Sequence, residues 1–506
     1  MKKYLMGIDR GTTNVKVAVY DLDGTEIKVS NRSCEKVKSP QAGFAEQDMD
    51  QMWEDTSEAI RNIWDEIITP ESIAAVGLSG QGGGMFLIDQ EGTPVRKGIV
   101  SMDSRVAVAA EEWRNKGEYQ KFLELWEFGN PTVPEALLYW LKVSEPENYK
   151  KIAWILQCKD WIRYKLTDKI YYETTDASNG MLIDENLKYQ IDYLDEYGLS
   201  EMKSKFPKLL NPWDLAGKVT EKAEKETGLK AGTPVAAGGH DVAMVAFGCG
   251  CYKKGQLATV LGTFGLNLLV IEKPHTMMQH YSKIVLSGSK DCYLMMNGGS
   301  VGAITDWYID TFCKEEKDQA ERTGVSVFEV MENEVFSAPD EGRSPVICHP
   351  FAEPPYTLEG YESAKFGYYG ATINTTKAEL IRAYYEGVAI EMAMSLEVSK
   401  KAVRNIETMR LIGGGAASKL WGQMFADACN LPVEIMDIKE AGCRGAALNA
   451  GIATEIYKDH SSVEKLVHPI KRKYLPTEEG VSYMKKKEKA SKEIARMLKG
   501  VWKGVY

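Results

Sequence analysis

Alternation of apolar and polar positions organises the start of the chain. Leu5-Met6-Gly7-Ile8 is a short apolar run, residues 9–13 are small and polar with one acid, and Val15, Val17 and Val19 recur at period two. This predicts a β-hairpin with its turn at residues 9–13. Asp21-Leu22-Asp23-Gly24 predicts a tight turn into another strand over residues 26–30. After Glu46-Gln47-Asp48 the spacing becomes helical, with Met52, Trp53, Ile60, Ile63, Trp64 and Ile67 broadly on one face. Residues 73–78 read as a buried strand ending at Ser79-Gly80-Gln81-Gly82-Gly83-Gly84, and Ile99-Val100-Ser101 leads into Met102-Asp103-Ser104-Arg105. From Val106 to about Lys169 the pattern is largely helical, with Trp113, Trp126, Trp140, Trp154 and Trp161 expected in the core. Thr174 to Asn179 is small and polar, a strand is expected at Leu182-Ile183-Asp184, and Val235-Ala236-Ala237-Gly238-Gly239-His240-Asp241 reads as a strand ending in glycines and an acid.

The second half repeats the opening device. Leu257 to Leu261, the turn Gly262-Thr263-Phe264-Gly265 and Leu266 to Val270 again give strand, Gly-Thr turn, strand. Two diverged copies of one module are implied, with a cleft between them. Met409-Arg410-Leu411-Ile412 then runs as a strand into Gly413-Gly414-Gly415-Ala416-Ala417-Ser418, followed by a helix carrying Leu420, Trp421, Met424 and Phe425. Strands alternating with helices predict an α/β fold, whose ligands sit beyond strand ends.

Composition narrows the chemistry. A chain of 506 residues exceeds a single core, and 44% hydrophobic with 26% charged residues is ordinary for a soluble globular protein. A formal net charge of −10 without a compensating Lys/Arg block argues against nucleic acid or an anionic membrane as partner. The Lys-rich end, Lys485 to Lys499, is interleaved with Glu488 and Glu493 and is expected to be a solvated helix. Nine scattered cysteines and six histidines fall at no metal-ligand spacing, so no structural zinc site is expected. Neither a signal h-region nor an apolar run of roughly 18 residues is present, and a reduced cytoplasmic protein with mostly buried thiols is expected.

The two Gly-Thr turns suit a polyphosphate. Backbone N–H groups at Gly11, hydroxyls of Thr12 and Thr13, and the matching Gly262-Thr263 turn can all donate to phosphate oxygens. Asp9 would repel bare phosphate, which implies a cation between them, most simply partly hydrated Mg²⁺. Gly413, Gly414, Gly415 and Ala416 could hold the base and ribose of a nucleotide.

Taken in order, these motifs resemble the FGGY family of carbohydrate kinases, within the sugar kinase, heat-shock protein and actin ATPase superfamily. The resemblance runs from about Lys3 to about Ala453. It rests on Gly7-Ile8-Asp9-Arg10-Gly11-Thr12-Thr13, Lys159-Asp160-Trp161 to Thr167 with Thr175-Asp176-Ala177-Ser178, Gly238-Gly239-His240-Asp241, Leu261-Gly262-Thr263, Glu386-Gly387-Val388-Ala389 and Gly413 to Ala416. It implies two actin-like (ribonuclease H-like) α/β domains, 1–245 for the sugar and first phosphate loop and 246–506 for the nucleotide, with an interdomain catalytic cleft. It also implies ATP and Mg²⁺, Asp241 as catalytic base, Asp9 toward the metal, and Gly11, Thr12, Thr13, Gly262, Thr263 and Gly413 to Ala416 toward the nucleotide. Gln81, Gly82, Asp103, Arg105 and Asp241 would face the sugar, with Gly82 to Gly84 giving it room. A small sugar or polyol is the expected partner, and the reading is compatible with a homodimer.

Departures from the family pattern concern the acceptor. Common xylulose kinases carry Gln-Met-His-Gly where this chain has Gln81-Gly82-Gly83-Gly84, and Ala136 stands where many members carry Lys. Both features bring the chain nearer in appearance to the L-xylulose kinase and erythritol kinase branches. A ketopentose phosphorylated on a terminal hydroxyl is therefore expected, with erythritol or glycerol as alternatives. The rival from another class is a nucleotide-dependent switch or sugar sensor, which would lack the acceptor-side acid.

Overall fold

The computed structural model describes residues 3–109, 134–179, 182–184, 186–262, 265–272, 282–285, 292–299, 301–353, 355, 358, 360–400, 403, 405–464, 466 and 470–505. The chain forms two compact units. Met1–Tyr252, Ser282–Leu294 and Glu440–Val467 make the first; Lys253–Tyr281, Met295–Lys439 and His468–Tyr506 make the second.

In the first unit the predicted hairpin is strand β1, Tyr4–Arg10, paired antiparallel with β2, Asn14–Tyr20, which pairs with β3, Glu26–Ser33. The strand Ile73–Gly80 lies parallel to β1, with Pro234–Ala236 and Gly239–His240 parallel to it in turn. Alternation along β1 divides its side chains between two layers. Tyr4, Met6 and Ile8 join a core with Met52, Trp53 and Ile60 of the Met49–Arg61 helix and with Trp161 and Ile162. Leu5 faces the other way, against Cys443, Ala447 and Leu448 of the Ala441–Ala453 helix.

That second helix is seated by glycine. Gly7 and Gly77 pair across β1 and Ile73–Gly80, and a Cβ on either would lie 1.8 Å from the Cys443 carbonyl oxygen or 1.9 Å from that of Ala446. Only bare backbone at both positions allows so close an approach. Gly445 and Gly248 do the same between this helix and Asp241–Gly248, meeting the Met244 and Ala441 oxygens at 2.0 Å.

The second unit repeats the strand order. Leu257–Leu261 and Gly265–Glu272 form an antiparallel hairpin, and Met409–Ile412 runs parallel to Leu257–Leu261. Val433–Met436 continues parallel, and Ile470–Tyr474 closes the edge antiparallel. Both sheets are mixed, with a hairpin on one side and parallel strands on the other.

Two local expectations change, and one small polar stretch proves helical. Trp154 lies in a short strand, Trp154–Leu156, paired antiparallel with Phe86–Ile88, so the helical stretch is interrupted there. Residues 174–179 form a helix, because the Glu173 carboxylate accepts the Thr175 and Asp176 amides and caps their N-terminus. The terminal helix Glu478–Val505 is only partly solvated: Ala495 and Trp502 pack with Phe351 and Ala364, and Lys487 is buried against Glu386 at 2.9 Å. Trp113 and Trp126 lie outside the described residues. No helix among them is long and apolar enough to cross a membrane.

Candidate active site

The first unit gathers its candidate residues at the C-terminal ends of three adjacent parallel strands. Asp9 pairs in register with Ser79 on Ile73–Gly80, and Gly239 pairs with the same Ser79, so Asp9, Gln81 and Asp241 emerge at one sheet edge. This is where open α/β sheets bind ligands. Asp9 accepts from the Ser79 hydroxyl at 2.7 Å through Oδ1, whereas no described residue hydrogen-bonds its Oδ2. Burial raises its carboxyl to about 6; the Ser79 bond and the Lys16 ammonium oppose the rise, and the charges of Asp241 and Glu440 add to it. Lys16, opposite Asp9 in the hairpin, is itself paired with Glu440 at 2.7 Å.

The turn of the hairpin is tied down by side chains. Thr12 donates to Gln81 Oε1 at 2.7 Å, Ser101 donates to the same oxygen at 3.3 Å, and Gln47 donates to the Thr12 carbonyl. Gln81 is thereby buried and holds Thr12 in place. Gly11 has ordinary backbone with the Asn14 oxygen 3.1 Å from where a Cβ would sit, and Thr13 is exposed.

Asp241 opens the Asp241–Gly248 helix with its side chain 35% exposed. His240 Nδ1 at 2.9 Å and the Val242 amide at 2.7 Å both engage its Oδ1. Oδ2 has no hydrogen-bond partner among the described residues, which is the disposition a proton acceptor needs.

The glycines after Gln81 make room for protein. A Cβ on Gly82 would lie 1.8 Å from His240 Nε2, and one on Gly84 would lie 2.1 Å from the Ile99 carbonyl oxygen. Asp103 and Arg105 are both buried and bonded chiefly to each other, Arg105 Nε reaching Asp103 Oδ1 at 2.9 Å and Nη2 reaching Oδ2 at 2.8 Å. The Ala45 amide and Glu46 complete the cluster, and Phe44 and Trp140 lie 4.0 and 4.8 Å from the guanidinium. Arg105 Nη1 is buried with no partner among the described residues.

A buried network of Lys159, Asp160, Arg163, Glu173 and Asp176 lies behind this edge. Lys159, fully buried, contacts Glu173 at 3.0 Å, Asp160 at 3.3 Å and Asp176, while Arg163 pairs with Asp160 at 2.9 Å. Burial would depress the His240 imidazole, but Asp241, Asp176 and Glu173 outweigh it and hold its pKa above the usual value. The only signal for this network in the sequence is the charge-rich pair of motifs at 159–167 and 175–178.

In the second unit Gly262 and Gly413 follow adjacent parallel strands, Leu257–Leu261 and Met409–Ile412, paired through Val260 and Ile412. Gly413 has φ of +94° and sits against Leu261, a Cβ there lying 2.5 Å from the Leu261 oxygen. Gly414 has open space beside it, and Gly415 and Ala416 are buried. Ser418 caps the following helix by accepting the Trp421 amide at 3.0 Å. Thr263 lies outside the described residues.

For a divalent cation the donor set is sparse. No group of three or more His, Cys, Asp or Glu among the described residues could cage one. One free Asp9 oxygen, beside carboxylates that leave the spot short of positive charge, fits a Mg²⁺ ion held mainly by water and phosphate.

Comparison with known proteins agrees with this layout. Residues 4–248 match the N-terminal domain of the FGGY family of carbohydrate kinases, and residues 257–454 match its C-terminal domain. A probable L-xylulose kinase of Haemophilus influenzae is 31% identical over 93% of this chain and 95% of its own. An autoinducer-2 kinase of Klebsiella pneumoniae is 27% identical over 99% of this chain and 94% of its own. A ligand-bound xylulose kinase from Lactobacillus acidophilus superposes with a TM-score of 0.85 over 100% of both chains at 20% identity, a likeness of fold. With both domains matched over most of its length, the chain belongs to the FGGY family of carbohydrate kinases and is an ATP-dependent enzyme of that family.

Proposed function

We propose that the chain transfers the γ-phosphoryl group of ATP to a terminal hydroxyl of a short-chain keto sugar, an L-xylulose-like ketopentose above others. The observation that carries the reading is Asp241: a part-exposed carboxylate at the ligand-binding sheet edge, with one oxygen held and the other open. On this reading Asp241 Oδ2 takes the proton as the acceptor oxygen bonds to Pγ, the bond from Pγ to the β–γ bridging oxygen breaks, and ADP leaves. In a loose transition state the proton departs late, so positioning supplies most of the rate.

Other assignments follow from the same edge. Asp9 would face Mg²⁺, which neutralises charge on the β- and γ-phosphates. Gly11, Thr12 and Thr13, with Gly262 and Thr263 from the second unit, would donate to phosphate oxygens, and Gly413 to Ala416 would take the adenosine. We assign the sugar to domain 1–245 and the nucleotide mainly to domain 246–506. Gln81 and the free Nη1 of Arg105 would reach sugar hydroxyls, with Asp103 orienting Arg105 and Gly82 acting through His240.

Support for a keto sugar comes from the L-xylulose kinase relative and from the glycine at position 83, where common xylulose kinases carry histidine. The autoinducer-2 kinase relative favours a second reading, autoinducer-2 as the acceptor. Coupled ADP release over L-xylulose, D-xylulose, erythritol, glycerol and hexoses tests the choice. Highest kcat/KM with a ketopentose is expected. A ring-form hexose as best acceptor would overturn it, and ADP release indifferent to every acceptor would favour a nucleotide switch.

A further inference from the structure

We propose that His240 is a positioning residue for the acceptor-side base, fixing one oxygen of Asp241 so that the other faces the substrate hydroxyl, and that Gly82 is bare because the His240 ring occupies its side-chain space. The inference rests on Asp241 being the base.

The geometry is local and over-determined. His240 ends the short Gly239–His240 strand and precedes the first residue of the Asp241–Gly248 helix. Its own amide donates to Thr175 Oγ1 at 2.8 Å, and Thr175 donates to Glu173 Oε1 at 2.6 Å, so the backbone carrying the ring is anchored to the buried ion network. The ring is 5% exposed, and its Nδ1 lies 2.9 Å from Asp241 Oδ1. Asp241, Asp176 and Glu173 all bear on the imidazole, and its Nδ1 also accepts the Val242 amide at 3.4 Å, so the ring, that amide and Asp241 Oδ1 form one close cluster.

Two contacts on one carboxylate oxygen do more than hold it. The Val242 amide donates to Oδ1 at 2.7 Å and His240 Nδ1 lies 2.9 Å from the same oxygen, which restrains rotation of the carboxylate and leaves Oδ2 open. Position 82 belongs to the same device. A Cβ there would sit 1.8 Å from Nε2 and 1.9 Å from Cδ2, so even alanine must displace the ring. Gly82 itself has no left-handed backbone, so alanine is acceptable to the main chain and the collision is the whole effect. The separation of His240 and Gly82 by 158 positions hides the pair in the sequence.

The test exploits the two ring nitrogens. An Asn amide nitrogen reaches the place of Nδ1, whereas a Gln amide nitrogen reaches the place of Nε2. His240→Asn should keep kcat within about fivefold of the parent, and His240→Gln should lose about 10–100-fold in kcat, the scale of a displaced reacting group, with acceptor KM nearly unchanged. Gly82→Ala, with His240 intact, should lose kcat like His240→Gln. Thermal unfolding and ATP-analogue binding establish that each variant is folded. Equal losses in Asn and Gln variants, a loss expressed in KM alone, or a Gly82→Ala enzyme within about twofold of the parent would overturn the inference. Should His240→Gln not fold, Gly82→Ala decides. Asp241→Asn separates the two layers: full activity there removes the base itself, whereas a dead Asp241→Asn beside an unimpaired Gly82→Ala removes only the positioning role.

Discussion

Asp9 is costly to the resting protein, and on the proposed reading it serves the reaction by facing the metal. Burial raises its carboxyl to about 6, the Ser79 bond offsets only part of this, and Asp241 and Glu440 add repulsion. The sign is fixed by linkage: a raised carboxyl contributes stability that is complete below about 3.8 and is lost as pH rises through about 6. Asp9→Asn should therefore raise the melting temperature of the ligand-free protein at pH 8 and leave it unchanged near pH 4. It should also lower kcat and raise the Mg²⁺ concentration needed for half-maximal rate. A variant that is no more stable at pH 8 and needs no more Mg²⁺ would contradict this account. Asp9 and Asp241 were visible as candidates because each sits inside a contiguous motif where a strand gives way to small residues. His240, Lys159 and Glu173 were not, because their roles come from partners on other elements. Gly82 was misread for the same reason: a glycine beside a candidate sugar site suggests space, and the ring that fills it is remote in sequence.

Among elements, the Ala441–Ala453 helix is tightly constrained. Its close seat on the Gly7 and Gly77 pair leaves no volume for a methyl group. Gly7→Ala or Gly77→Ala should cost about 3 kcal/mol or more and appear as a large drop in melting temperature or as insoluble protein. A stable Gly77→Ala protein would show that this packing is looser than described. The Lys377–Ser399 helix carries a different burden. Glu391, 3% exposed and set against Gly299, is raised to about 8 by burial alone. Its native form is protonated, so its stability contribution is complete below about 4.5, erodes as pH rises and is gone above about 8. Glu391→Gln imitates the protonated acid and should stabilise the chain at pH 8.5 by on the order of 2–4 kcal/mol, with little effect at pH 4.5. Denaturant melts at the two pH values check this, and equal midpoints for parent and variant at pH 8.5 would refute it. The period-two hairpins were legible in both halves because alternation is a local pattern. Trp154–Leu156 and Thr174–Asn179 were not: a three-residue strand needs its partner Phe86–Ile88, and a six-residue helix needs the Glu173 cap.

For the whole molecule, the two units share one strand order, and in the sequence a Gly-Thr pair follows the first strand of each hairpin. That repetition was visible in the sequence, whereas the return of Glu440–Val467 to the first unit was not, since nothing local marks which sheet a helix covers. Family membership establishes phosphoryl transfer, and in the proposed mechanism Asp241 accepts the substrate proton. The direct measurement is kcat of Asp241→Asn in acceptor-dependent ADP release, with nucleotide affinity measured alongside. Asparagine caps a helix about as well as aspartate, so a purely structural Asp241 would lose only a few tenths of a kcal/mol and keep its activity. The account predicts a fall in kcat on the order of 10²–10⁴-fold with ATP affinity little changed; kcat within about threefold of the parent in a folded protein would contradict it.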